Sequence, residues 1–148
     1  MLFSTAVIGA LVSLASAHAS VKFQNNCPFD MDLWTLGKRT RSLGNGESSV
    51  IRLEQTPEGA YKYIKMTKSP DRTDKPHLQF SYSLHLASND IVYGITPVLG
   101  GNWRGARVAV ESSTCPHIVW PNGEPPLERS GNKHCHGIGH NFEVVVTC

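Results

Sequence analysis

His77-Leu78-Gln79-Phe80-Ser81-Tyr82-Ser83-Leu84-His85-Leu86 alternates without a break. Leu78, Phe80, Tyr82, Leu84 and Leu86 fall on one side, and His77, Gln79, Ser81, Ser83 and His85 on the other. Successive side chains of a β-strand point to opposite faces, so this pattern predicts a strand with one face on a core and one toward water. It predicts a central sandwich strand whose even-numbered side chains are buried.

The same period recurs on both sides of it. Ser20–Gln24, Phe29–Trp34, Ser48–Glu54, Tyr61–Met66, Ile91–Ile95, Ala106–Glu111, Ile118–Trp120 and Phe142–Thr147 each read as a short strand. Turn chemistry separates them. Asn25-Asn26-Cys27-Pro28 breaks the first, Asn45-Gly46 suits a turn with positive φ, and Pro57-Glu58-Gly59 turns the chain into Tyr61. The basic run Lys38-Arg39-Thr40-Arg41 reads as a solvated turn, Ser69–Pro76 as a polar loop, and the residues between Trp120 and Phe142 as one long Pro/Gly-rich loop. No helical period of any length interrupts them. Many short strands with frequent turns predict an all-β fold, an antiparallel β-sandwich.

The 148 residues suit one domain. Residues 1–19 stand apart from it. An uncharged apolar run, Ala6–Leu14, is too short to span a bilayer and ends in Ala15-Ser16-Ala17-His18-Ala19. That is the form of a secretory signal with two overlapping cleavage sites, after Ala17 or after Ala19. The domain proper is then residues 20–148, and the expected location is extracellular. A formal charge of +2 gives no footprint for nucleic acid, and no segment suits a membrane. A monomer is expected.

Four cysteines in a secreted chain read as two disulfides. Three pairings exist, and sequence alone does not choose among them. Chain geometry favours Cys27–Cys148 with Cys115–Cys135. The first closes nearly the whole domain, worth about 4–5 kcal/mol in the loop-entropy account, and the second about 3 kcal/mol.

Val21-x-x-x-Asn25-Asn26-Cys27-Pro28, the Leu43-x-x-Gly46 turn, Ile91-x-Tyr93-Gly94-Ile95, Cys115-Pro116-x-x-x-Trp120 and terminal Cys148 together resemble the fungal antigenic thaumatin-like proteins, the Blastomyces yeast-phase-specific family. The similarity runs over about residues 20–148. It implies a secreted fungal protein with a reduced thaumatin-like β-sandwich and a first-to-last disulfide. It implies no settled biochemical activity. Larger plant thaumatin-like proteins carry an acidic cleft built by an Arg, a Glu and several Asp. Arg52-Leu53-Glu54 matches a fragment of that set, but no Asp-rich segment follows in register.

Candidate chemistry falls into three classes. Glycoside hydrolysis needs two carboxylates, and Asp90, Glu111, Glu124 and Glu128 stand at turns or strand ends. Sugar binding without hydrolysis needs exposed aromatic faces, for which Trp103 and Trp120 are candidates. Metal binding, copper or zinc, would draw on His134, His136, His140 and His117, because neutral imidazoles suit those ions. In a strand, His134 and His136 would share a face. The same histidines would also suit a pH-responsive patch. Cleavage after Ala17 would make His18 the amino terminus, a copper chelate through amine and ring. No nucleophile elbow occurs. The expectation is a secreted binding protein without catalysis or a resident cofactor. It would act at the cell wall or a host interface on β-glucan, another glycan, or a host or competitor protein. A carboxylate-pair hydrolase and a histidine-based metal or pH sensor are the alternatives.

Overall fold

The structure, a computed structural model, describes residues 18–101, 103–126, 131–137 and 139–148. The segment expected to be a signal therefore lies outside the described residues up to position 17. Among the described residues eleven strands follow in order: β1 (Ser20–Asn26), β2 (Met31–Thr35), β3 (Lys38–Leu43), β4 (Ser48–Arg52), β5 (Lys62–Lys68), β6 (His77–His85), β7 (Asp90–Val98), β8 (Arg107–Glu111), β9 (Ile118–Trp120), β10 (Lys133–His136) and β11 (Asn141–Thr147). They form a five-stranded sheet, β4-β1-β11-β8-β9, and a six-stranded sheet, β10-β7-β6-β5-β2-β3.

The core lies between the sheets. Phe23 of β1 meets Phe80 of β6 edge-on at 6.2 Å, and Phe142 of β11 packs on Tyr93 of β7 at 4.5 Å. Val21, Phe23, Val144 and Val146 from one sheet and Leu33, Met66, Leu78 and Phe80 from the other are fully buried. These are the inward members of alternating strands, as the period requires. Tyr93 also donates its hydroxyl to the Pro116 carbonyl. Burial pushes its phenol up to about 12.

Both disulfides join Cys27 to Cys148 and Cys115 to Cys135, with Cα atoms 4.9 Å and 5.4 Å apart. The first sits where β1 and β11 end. The second ties the β8–β9 loop of one sheet to β10 of the other. Buried Asn25 supports the first: its amide donates to the carbonyls of Phe29 and Leu43, and its oxygen accepts the Cys27 N–H. An Asn at that place thus satisfies three backbone groups as the chain leaves β1.

Four expectations need correction. The sandwich is not wholly antiparallel, because β1 and β11 pair in parallel from Ser20↔Asn141 to Asn26↔Thr147. Lys38–Arg41 is not a turn but most of edge strand β3, and charged side chains are a common protection for such an edge. The loop before Phe142 contains β10, which pairs with β7. On β6 the odd-numbered side chains are not left to water. His77, Ser81 and Ser83 are buried as well. For Ser83 the reason is visible at Thr56. β5 runs out opposite Tyr82, and Thr56 takes its place, accepting Leu84 N–H at 3.0 Å and donating its own N–H to Leu84 O.

Candidate functional site

Where β4 of one sheet approaches β2 and β5 of the other, a cleft of about 390 Å³ opens. Ile51, Ile64 and Tyr82 contribute to its lining from the core side, while Trp34, Leu36, Tyr61 and Tyr63 give it an aromatic and apolar rim. Its charged members are Arg52, Lys62, Lys65 and Glu54, three cations against one anion, a local balance of 3 − 1 = +2.

Local structure sets each of these groups. On β5, Ile64 and Met66 face the core, so Tyr63 and Lys65 must face out. Trp34 stands directly across from Lys65 on β2, and its indole N–H donates to Thr67 Oγ1 at 2.9 Å. The indole is thereby fixed beside Lys65, with Tyr63 two residues along on the same face. Leu36 occupies the two-residue β2–β3 turn with Gly37, at φ 51° and 75°. Glu54 is ion-paired with Lys62, whose hydrogen bond holds the carboxyl below its usual range while raising the ammonium. Arg52 donates to His18 Nδ1 at 2.6 Å.

Such a cleft can stack ring faces on a ligand and offer cationic donors beside them. It does not hold the two carboxylates that glycoside hydrolysis needs, since Glu54 is the one acid lining it among the described residues.

The sequence-derived candidates lie elsewhere and apart from one another. Trp103 and Trp120 are buried and present no face to solvent. Trp103 packs edge-on against Phe29, and Lys68 Nζ lies 5.5 Å from its ring, so it anchors the glycine loop in the core. Glu111 pairs with Arg107 at 3.2 Å and stands opposite Glu143, which pairs with Lys22 at 2.8 Å. These two acids share a shallow depression on the outer face of the five-stranded sheet, each against its own cation and open to water. Glu124 pairs with Arg104, and Glu128 lies outside the described residues.

Of the four candidate histidines only His134 and His136 come together. His117 donates to Ser112 O at 2.8 Å in the β8–β9 loop. His140 is buried, with Nδ1 3.4 Å from Cys115 Sγ and Nε2 donating to Asn89 O. Cys115, Cys135 and His140 are close enough to hold an ion, but the disulfide leaves no thiolate to ligate one. His134 and His136 both meet Asp90, at 3.1 Å and 2.6 Å.

The cleft residues Trp34, Leu36, Tyr61 and Tyr63 were not singled out by the sequence reading. A signal existed in Tyr61-Lys62-Tyr63-Ile64-Lys65-Met66. Once Ile64 and Met66 claim the core, both tyrosines are left on the other face.

Two sheets packed face to face, with the first and last strands paired and disulfide-linked, define a thaumatin-like β-sandwich. The chain belongs to the Bys1 family, the Blastomyces yeast-phase-specific proteins, whose model matches residues 8–148. Among solved structures it is similar to the protein elicitor MoHrip2 from Magnaporthe oryzae, at 15% identity and TM-score 0.66 over 87% of this chain and 98% of that one. It is also similar to the thaumatin-like xylanase inhibitor TLXI, at 15% identity and TM-score 0.56 over 85% of this chain and 97% of that one. No curated protein sequence matches it.

Proposed function

We propose that this is a secreted binding protein that takes a glycan, without cleaving it, in the cleft between β4 and the β2–β5 pair. One observation carries the reading: Tyr63, 48% exposed, and Trp34 flank Lys65 on one outward face, with Tyr61 and Leu36 beside them. Ring faces next to donors match the alternating C–H and hydroxyl surfaces of a sugar chain. Residues 1–19 and the two disulfides support passage through an oxidising, secretory route, and with it action at a cell wall or host interface. The descriptions of the two similarly folded proteins, an elicitor and an inhibitor, support interaction rather than turnover.

The test is co-sedimentation with insoluble β-glucan and with chitin, with reducing ends measured in the same tubes. The expected outcome is retention on a polymer, no reducing ends above the blank, and at least tenfold weaker retention for Tyr61→Ala/Tyr63→Ala at unchanged melting temperature. Equal retention of that variant would move the site elsewhere. Retention on neither polymer would replace the glycan with a protein partner. Reducing-end release abolished by Glu111→Gln would establish the hydrolase, using Glu111 and the facing Glu143.

A further inference from the structure

At the far edge of the six-stranded sheet, four strands from the cleft's β2, a second group of side chains gathers on the outer face. β10 carries His134 and His136 two residues apart, so both project the same way. Their neighbour β7 places Asp90 opposite His136, and both imidazoles donate to one oxygen of it, His134 Nε2 at 3.1 Å and His136 Nδ1 at 2.6 Å from Oδ1. The next strand, β6, sets His85 opposite Asp90 in turn, its Nε2 turned to Ser83 Oγ. Three of the seven histidines and a carboxylate therefore occupy one patch on three adjacent strands.

We propose that His134, His136 and Asp90 form a chelate for a divalent first-row transition cation, copper or zinc, with His85 standing by as a fourth ligand. Two imidazoles and a carboxylate are a donor set that such ions favour over magnesium or calcium. A strand holds side chains i and i+2 side by side, and the Asp90 carboxylate already lies between the two rings. Each ring now points at the carboxylate oxygen, so binding turns both onto a shared ion. His134 and His136 are 62% and 74% exposed, so no packing opposes that turn. The site is independent of the cleft and of the disulfide-bound His140.

Isothermal titration of the oxidised, secreted protein with copper(II) and with zinc(II), against magnesium as control, tests this. The expected result is one equivalent of copper or zinc bound, and no magnesium. Affinity should fall at least tenfold in His134→Ala/His136→Ala and in Asp90→Asn, each variant keeping a cooperative unfolding transition in EDTA. Copper should broaden NMR resonances of β10 and the start of β7 and leave those of β1 and β4 sharp. Absence of binding, a loss smaller than tenfold in the double variant, or broadening centred on His18 and Arg52 would overturn the assignment.

Discussion

Leu36 shows 96% of its surface to water and sits at φ 51°, in the left-handed region that side chains with a Cβ avoid. Two-residue hairpin turns of this form favour Asn-Gly, and holding a leucine there costs about 1–2 kcal/mol. A costly, exposed apolar side chain at the mouth of the cleft fits a contact role. Leu36→Asn should therefore raise stability by about 1 kcal/mol in denaturant titration while weakening retention on the polymer. A variant that gains stability and keeps full binding would leave Leu36 as mere strain. Asp90 makes a second test at this scale. The hydrogen bond from His136, with lesser help from Ser88 and His134, lowers its carboxyl from 3.8 to about 2. A lowered folded value means a stabilising contribution present above the usual pKa and lost as pH falls from about 4 through about 2. Carboxyl-carbon NMR should report that titration, and His136→Ala should return it toward the ordinary value. The sequence made His134 and His136 face-sharing neighbours legible from their spacing alone. It could not show Asp90, 44 positions from His134, because only the β7–β10 register brings it there.

The strands differ in how plainly they announce themselves. β6 alternates apolar and polar residues, and the reading of its inward face holds at Leu78, Phe80, Tyr82 and Leu84 but not at Leu86, which lies past the end of the strand and is exposed. β3 and β10 do not alternate, because an edge strand gains little from apolar side chains and is guarded by charge, so Lys38-Arg39-Thr40-Arg41 mimics a turn. The buried odd face of β6 was hidden for another reason: Ser83 is covered by Thr56, which arrives from outside the strand. The cleft depends on one such cross-strand contact, Trp34 Nε1 to Thr67 Oγ1. Thr67→Val leaves the indole donor without its acceptor and should cost about 1–2 kcal/mol in unfolding free energy. It should also weaken ligand retention, whereas the same change at exposed Thr96 should alter neither. Tryptophan fluorescence and denaturant titration read the two effects together.

Across the whole molecule the disulfides divide the labour. Cys27–Cys148 spans 121 positions and Cys115–Cys135 spans 20. Replacing the first pair by alanines should cost about 4–5 kcal/mol and the second about 3 kcal/mol on the loop-entropy account. Equal losses in denaturant titration would show that local packing, not chain closure, sets their worth. The pairing was favoured by chain geometry in the sequence, but the parallel alignment of β1 on β11 was not readable, since parallel and antiparallel strands use the same period of two. That alignment has a consequence for biosynthesis. β11 lies between β1 and β8, so the middle of its sheet is made after all the strands it joins. β1 can pair early with β4 but must wait more than a hundred residues for β11, and contacts of such long range slow folding. A chain stopped before residue 141 would still hold every strand of the six-stranded sheet, while β4-β1 and β8-β9 would be left as two separate pairs with nothing between them.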